Sequence, residues 1–360
     1  MSQENIILET YHGVGVIKLN RPKALNALSL DMLLGIQNIL KMWRDDPAIL
    51  FVYITSTTER AFCVGGDVKS VVEHALQRDY EYGRNYLKEE YKTDLMIHEY
   101  PKPVISFLHG YVLGGGAGIA MASSIRITSE DAYFGMPEVH IGFFPDVGAS
   151  YFLTRMPRNV GKYLGVTGKL INSDDLLYLG ISHYKIIKDR FDLVENYLFT
   201  HEWQENTFET ELHALFQKYH DPSIEGSVIK PMINFIEKFY ENETYNKIYF
   251  ALEHDGSKEA LEHMKYIRGL CNTSIQLTLE LLKRGKKMSL RECFKMEYDL
   301  GYNLIDSTNF LEGVKAVLIE KTGNPEWIED DRVVINKRGM ELVFNKWRGP
   351  EPHPLDRDDE

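Results

Sequence analysis

The sequence predicts an α/β core followed by a mainly helical region. Three observations carry that prediction. Strand-like apolar runs recur between residues 13 and 129, stretches of helical spacing stand between them, and from about residue 190 long helical patterns dominate. Strand and helix alternating in this way call for parallel pairing, because a parallel pair is closed by a crossover segment and not by a tight turn.

The elements follow in order. GVGVIKLN (13–20) alternates Val14 and Val16 with its neighbours as a strand does, and Arg21, Pro22 and Lys23 break the pattern into a loop. Ser29 is suited to cap a helix on which Met32, Leu33, Ile36, Ile39, Leu40 and Trp43 recur at helical spacing, and Asp45, Asp46 and Pro47 end it. ILFVYITS (49–56) is a continuous β-rich run of the kind buried on both faces of a sheet. Asp67 then opens a second helix through Val68, Val71, Val72, Ala75 and Leu76. PVISFLHGYV (103–112) reads as a third buried strand, Gly114 to Gly116 as a turn, residues 117–122 as the start of a tightly packed helix, and IRITS (125–129) as a fourth strand. TSIQLTLELLKRGKK (273–287) and LRECFKMEYDLGYNLI (290–305) are long helical patterns, while HDPS (220–223) and EHDGS (253–257) read as helix connections. No internal repeat of 20 to 50 residues is present. This divides the chain into a core over residues 1–190 and a mainly helical region over 191–360 that packs on it.

Composition narrows the functional classes. Hydrophobic residues make up 44% and charged residues 26% of 360, which excludes disordered, collagen-like and coiled-coil chains. Lys and Arg number 41 against 53 Asp and Glu, a net charge of -12, so broad adhesion to nucleic acid or an anionic membrane is disfavoured and an anionic ligand needs a local basic patch. Cys63, Cys271 and Cys293 have no CxxC spacing, which argues against a disulfide framework or zinc-thiolate site and for a reducing compartment. The start, MSQENIILET, has no basic or Arg-rich targeting stretch, and the end, PLDRDDE, is acidic and no peroxisomal address. A cytoplasmic location is the resulting expectation. The uncharged stretch between Lys102 and Arg126 has the length to span a bilayer, but its five glycines, Pro103, His109 and serines favour a buried strand, turn and helix.

Many familiar catalytic motifs are missing: no GxSxG, HExxH, EF-hand or Walker A pattern occurs, and Gly114, Gly115, Gly116 and Gly118 do not fit GxGxxG. The twelve histidines form no ligand set, and His109 and His140 read as hydrogen-bonded structural residues. What remains is AFCVGGD (61–67) and HGYVLGGGAG (109–118), each placed where a strand feeds a helix. Free amides at such a place are good donors to an anion or oxyanion, although the glycines could equally serve only a turn or close packing. In a third segment (134–149), Glu138 and Asp146 stand eight apart in an apolar, glycine-rich setting. Buried carboxyls there would be raised in pKa and fit for acid/base work; the alternative is an ion pair for Glu138 and a turn cap for Asp146.

Taken together, NRPKALNAL (20–28), AFCVGGD, HGYVLGGGAG and MPEVHIGFFPD (136–146) resemble, in order and spacing, the enoyl-CoA hydratase/isomerase or crotonase superfamily over about residues 5–190. Within it, KEEY (88–91), GFFPDVGA (142–149) and the extension containing EGVKAVLIEK (312–321) look most like the 3-hydroxyisobutyryl-CoA hydrolases of valine breakdown. The resemblance implies a crotonase-like ββα spiral core with a helical C-terminal extension. It implies an oxyanion hole from the amides of Gly66 and Gly115, with Glu138 as the chief catalytic carboxylate acting on water or on the thioester itself. Asp146 would assist by holding a 3-hydroxyl or orienting water, and Glu90 would line the acyl pocket with Gly115, Glu138 and Asp146. The backbone from Val64 to Asp67, Val64 and Gly66 above all, would meet the CoA adenine. No metal or redox cofactor is implied.

One departure bears on the reaction. Hydratases of the superfamily resemble one another in carrying a glutamate where this chain has Gly118, which counts against hydration and less against isomerisation. A hydratase or isomerase on the same scaffold, and a non-catalytic CoA-binding subunit, stand as the alternatives. Lys18, Arg21, Lys23, Lys69, Lys283, Arg284, Lys286 and Lys287 are candidate partners for the CoA phosphates. Loops, residues 70–100 among them, shape the acyl pocket and leave the acyl group open. Superfamily members commonly form trimers or hexamers through C-terminal helices, so a homo-oligomer is one expectation and a tail folded over its own active site the other.

Overall fold

Buried, β-rich runs assemble into two sheets. The computed structural model describes residues 5–328, 335–345 and 352–356. The first sheet has the order β1 (Ile6–Tyr11), β2 (Val14–Leu19), β3 (Phe51–Ser56), β5 (Val104–Leu108), β7 (Ile125–Thr128) and β10 (Tyr184–Lys185). The second has the order β4 (Ala61–Cys63), β6 (Tyr111–Leu113), β8 (Tyr133–Gly135) and β9 (Ile171–Asn172). Pairing is parallel except for the β1–β2 hairpin and the β8–β9 pair.

Along the chain a strand of the first sheet is followed by a strand of the second and then by a helical turn. β3 and β4 lead to the helix Val68–Leu76, β5 and β6 to Gly115–Ala122, and β7 and β8 to the 3-10 turn Glu138–His140. This is the expected ββα rhythm. It corrects the single strand expected over 103–112: the run breaks at His109 and Gly110, and the chain passes from the first sheet to the second. Gly110 has φ +54°, and a Cβ there would stand 2.3 Å from the Arg60 carbonyl oxygen, so the crossing passes too close to backbone for a side chain.

The chain forms two compact units, each built from separated segments: Met1–Gly66, Thr93–Gly135 and Ile171–Pro231 in one, Asp67–Lys92, Met136–Leu170 and Met232–Glu360 in the other. Both sheets belong to the first. Its helix Leu30–Arg44 is capped by the Ser29 hydroxyl, which accepts from the Met32 amide, and it buries every apolar position expected of it. A second layer comes from the helices Lys188–Thr200 and Phe208–Tyr219: Val194, Leu198, Leu212 and Phe216 join Val14, Val16, Phe51, Tyr53, Ile105 and Phe107 in one core. Trp203 meets Phe51 edge to face at 5.3 Å. Each such side chain contributes about 1.5–3 kcal/mol by burial.

The second unit is mainly helical, in keeping with the periodicity. It includes Asn272–Gly285 and Leu290–Leu304, the latter started by a capping box: Glu292 N–H donates to Ser289 Oγ at 3.3 Å, and Ser289 N–H to Glu292 Oε2 at 2.8 Å. EGVKAVLIEK begins in the helix Thr308–Val314 and continues as a π-helical turn, Lys315–Ile319. Val68–Leu76 is the helix expected after Asp67, whereas the expectation of loops in the rest of residues 70–100 is corrected: the 19-residue helix Tyr80–His98 fills most of that stretch. Among the described residues no helix is long and apolar enough to cross a membrane, and Cys63, Cys271 and Cys293 are buried and outside any disulfide.

Candidate active site

In the first unit the two glycine segments lie side by side. β4 and β6 pair in parallel, Ala61 with Tyr111 and Cys63 with Val112, so Val64 to Gly66 and Gly114 to Gly116 leave the same end of the sheet. Gly65 takes φ +113°, and a Cβ on it would stand 3.3 Å from the Leu113 carbonyl oxygen and 3.5 Å from the Gly115 nitrogen. The contact is closer still at Gly116, where a Cβ would lie 2.4 Å from the Cys63 carbonyl oxygen. These glycines let two backbones touch.

The helix after β6 begins at Gly115, two residues before the start expected from sequence, with Gly114 (φ +50°) as its N-cap. The Gly115 amide is therefore in the first turn, where no intrahelical acceptor exists, and it lies at the positive end of the helix dipole. The 20–28 segment braces this corner. Leu28 N–H donates to the Gly65 carbonyl at 2.9 Å, Val64 N–H to the Leu25 carbonyl at 3.2 Å, and buried Asn26 Nδ2 to Ser56 Oγ at 2.7 Å and the Phe62 carbonyl at 3.0 Å. Gly118 lies buried in the same helix, so that position carries no carboxylate.

The second unit gathers the carboxyls. Glu138 opens the 3-10 turn Glu138–His140, Asp146 lies in the loop that follows, and Glu90 comes from the helix Tyr80–His98. Their exposures are 7%, 6% and 5%. Tyr91 OH donates to Asp146 Oδ2 at 2.6 Å, and Tyr86 OH to Glu90 Oε1 at 3.4 Å. Glu138 forms no ion pair with any described cation, and its Oε2 is buried without a hydrogen-bond partner in the protein. Of the two local alternatives, the structural ion pair for Glu138 is thus not what forms, and Asp146 does close its turn, its carbonyl accepting from the Ala149 amide at 2.9 Å, while its carboxylate is held by Tyr91.

Burial sets the proton affinities. It pushes Asp146 up to about 7, against the Tyr91 hydrogen bond, which favours the charged form. Burial raises Glu138 and Glu90 well above the usual carboxylate range, and the charge of Asp146 raises both further. The cluster therefore keeps protons near neutral pH and can both give and take them.

The helix Leu290–Leu304 walls the cluster. Phe294 and Tyr298 meet Tyr91 edge to face at 5.7 and 6.4 Å, and Glu297 is fully buried. Sequence reasoning missed Tyr86, Tyr91 and Glu297. A signal existed for Glu297, a carboxylate on the stripe Cys293, Phe294, Leu300 and Gly301 that the helix buries.

The other candidates divide. His140 is structural, its Nε2 3.2 Å from the Thr167 carbonyl oxygen, and His109 is buried against Phe107. Among the proposed phosphate partners, Lys18 pairs with Glu9 at 2.7 Å, Lys69 with Glu73 at 3.7 Å, and Lys283 and Arg284 with Glu280 at 3.6 and 2.8 Å. The Arg21 guanidinium donates to the Ala27 carbonyl at 2.9 Å and braces its own loop. Among the described residues no group of three or more His, Cys, Asp or Glu side chains is arranged to hold a metal ion.

Comparison with known proteins gives a consistent picture. A family profile described as enoyl-CoA hydratase/isomerase matches residues 14–344. The mitochondrial 3-hydroxyisobutyryl-CoA hydrolase of Gallus gallus is 34% identical over 330 residues, 91% of this chain and 85% of that protein. The Homo sapiens protein of the same name is 33% identical over 95% of this chain and 88% of its own, and 3-hydroxyisobutyryl-CoA hydrolase 1 of Arabidopsis thaliana is 31% identical over 91% and 87%. Among solved structures, that of a carnitinyl-CoA dehydratase from Mycobacterium thermoresistibile superposes with a TM-score of 0.88 at 28% identity, covering 99% of this chain and 100% of that one. That of an enoyl-CoA hydratase from Rhodobacter sphaeroides gives 0.83 at 27% identity, over 95% and 98%.

Proposed function

The chain belongs to the enoyl-CoA hydratase/isomerase family, and on that premise we propose that it hydrolyses an acyl-CoA thioester, 3-hydroxyisobutyryl-CoA, to 3-hydroxyisobutyrate and free CoA, a step of valine catabolism. The observation that carries this reading is the buried carboxyl cluster of Glu90, Glu138 and Asp146, together with Gly118 where the hydratases resembled above have a glutamate. Curated relatives that cover most of the chain bear the hydrolase name.

In this reading the thioester oxygen accepts from the amides of Gly66 and Gly115. Two preorganised donors aimed at a developing oxyanion contribute on the order of several kcal/mol to the transition state. Glu138 acts on the carbonyl carbon, either by taking a proton from water or by attacking to form a mixed anhydride that water opens. In both routes a C–O bond forms, the C–S bond breaks, and the CoA sulfur leaves with a proton. Asp146 receives the 3-hydroxyl, and Glu90 lines the acyl pocket. The backbone of Val64 and Gly66 contacts the CoA adenine. The reaction needs only water as co-reactant, so the proposal includes no metal or redox cofactor. Three buried cysteines outside any disulfide suit a reducing, cytoplasmic setting.

A thiol-trapping assay tests this with 3-hydroxyisobutyryl-CoA, 3-hydroxypropionyl-CoA, crotonyl-CoA and acetyl-CoA. Rapid thiol release from the branched 3-hydroxy substrate and little from crotonyl-CoA is the expected result. Loss of the crotonyl absorbance without thiol release would establish hydration instead, the activity for which the Rhodobacter sphaeroides protein is named. Binding of CoA with no turnover of any substrate would make the chain a non-catalytic CoA-binding subunit. Glu138→Gln should lower kcat by about two to four orders of magnitude while CoA binding persists.

A further inference from the structure

Glu297 is a buried carboxylate that the proposed reaction does not use. It stands on the helix Leu290–Leu304 with no exposed surface. Its Oε2 accepts from the Gly148 amide at 2.7 Å, and its Oε1 from the Ser150 amide at 2.8 Å and the Ser150 hydroxyl at 2.5 Å. All three donors belong to the short segment that directly follows Asp146.

That segment bends through an uncommon backbone conformation. Val147 has φ +50° and Gly148 φ +87°, two successive left-handed residues, the first β-branched and so poorly suited to that region. Such a turn persists only where its surroundings impose it. Here the imposition comes from two sides: Tyr91 OH grips the Asp146 carboxylate, and Glu297 grips the backbone two and four residues on. Phe294, one turn before Glu297, links the two by packing edge to face on Tyr91, and it lies 3.0 Å from where a Gly148 Cβ would be. Burial pushes Glu297 up to about 8 despite its three donors, a cost the fold bears for these contacts.

We propose that Glu297 is a positioning residue whose carboxylate locks the Val147–Ser150 turn and thereby fixes the direction in which Asp146 is presented to the substrate's 3-hydroxyl. The part of this that concerns the hydroxyl rests on the hydrolase reading; the locking of the turn does not.

The test uses the full chain with Glu297→Gln, in which the amide NH2 must face one of the three donors, and Ser150→Ala, which removes one donor and keeps the carboxyl group. Hydrogen exchange is followed at the Gly148 and Ser150 amides. The expected result is exchange at least about tenfold faster at both in Glu297→Gln, a smaller rise in Ser150→Ala, and no change in the helix Leu290–Leu304. Unchanged exchange in both variants, or a rise spread equally over that helix, overturns the proposal. In parallel, kcat/KM for 3-hydroxyisobutyryl-CoA should fall by about tenfold or more, the scale of a slightly misplaced group, with less than about a twofold change for isobutyryl-CoA. Equal losses on both substrates overturn the link to Asp146. Should Asp146→Asn itself fail to discriminate the two substrates, the hydroxyl reading falls and the exchange result alone decides the role of Glu297. If Glu297→Gln does not fold, Ser150→Ala carries both readouts.

Discussion

Asp146→Asn should make the protein more stable in alkaline solution and less active everywhere. Asp146 is 6% exposed and burial moves it from 3.8 to about 7. Well below pH 3.8 the group is protonated in both folded and unfolded chains, so folding meets no penalty there. As pH rises the unfolded chain releases the proton first, and stability falls until the folded group ionises near pH 7. The full penalty is about 4 kcal/mol, of which about 3 kcal/mol develops between pH 5 and pH 8. Asparagine has no proton to lose, and its Oδ1 can still accept from Tyr91. Glu138 and Glu90, which both feel the Asp146 charge, are relieved in the same direction. Urea titrations of both proteins at pH 5 and pH 8, followed by circular dichroism, measure the effect. The variant's advantage should grow by about 3 kcal/mol between the two pH values. An advantage equal at both, within about 0.5 kcal/mol, would refute the claim that Asp146 is held protonated by burial.

Three further outcomes are expected. Tyr91→Phe removes the hydrogen bond that favours ionised Asp146, so the Asp146-dependent limb of the kcat/KM profile should move up by about one pH unit; an unmoved limb would separate Asp146 from that ionisation. Gly116→Ala sets a methyl 2.4 Å from a carbonyl oxygen that no rotamer change can relieve, and should cost about 2–4 kcal/mol in urea denaturation. A stability within about 0.5 kcal/mol of the parent would mean that the helix Gly115–Ala122 and β4 do not approach so closely. Lys185→Met leaves Asp174 and Asp221, held at 2.7 and 3.1 Å by an ammonium that is 3% exposed, without their partner. Both carboxylates keep some contact with water, so the loss should be about 1–3 kcal/mol, and a neutral result would show that the pair is dispensable.

Long elements with strong periodicity were legible in the sequence. Helix Leu30–Arg44 follows from its Ser29 cap and its buried stripe, and the helices over 272–304 from their spacing. Short strands were not, because β4, β6, β8 and β9 are two or three residues each and too brief for any period to appear. The break at Gly110 was hidden for a related reason: the residues on both sides are apolar, and only the tertiary crowding against Arg60 shows that the chain must change sheets. Of the candidate site, Glu138 and Asp146 could be picked out because carboxyls are rare in apolar runs. Glu90 came only from family likeness, since KEEY sits in a polar helix whose mean hydropathy says nothing of burial. Tyr91 and Glu297 act through partners 55 and 149 residues away, and no local pattern encodes such a pairing.

That last separation bears on how the protein is made. A ribosome delivers Glu90, Glu138 and Asp146 well before the residue that pins the turn between them and the rest of their unit. Until residues 290–304 emerge, the Gly148 and Ser150 amides lack their Glu297 acceptors, and Tyr91 lacks the rings of Phe294 and Tyr298. The surroundings of the carboxyl cluster are therefore completed late in synthesis. It also places the most exposed interval of folding, with apolar surface uncovered and contacts of long sequence separation still unmade, in the final third of translation.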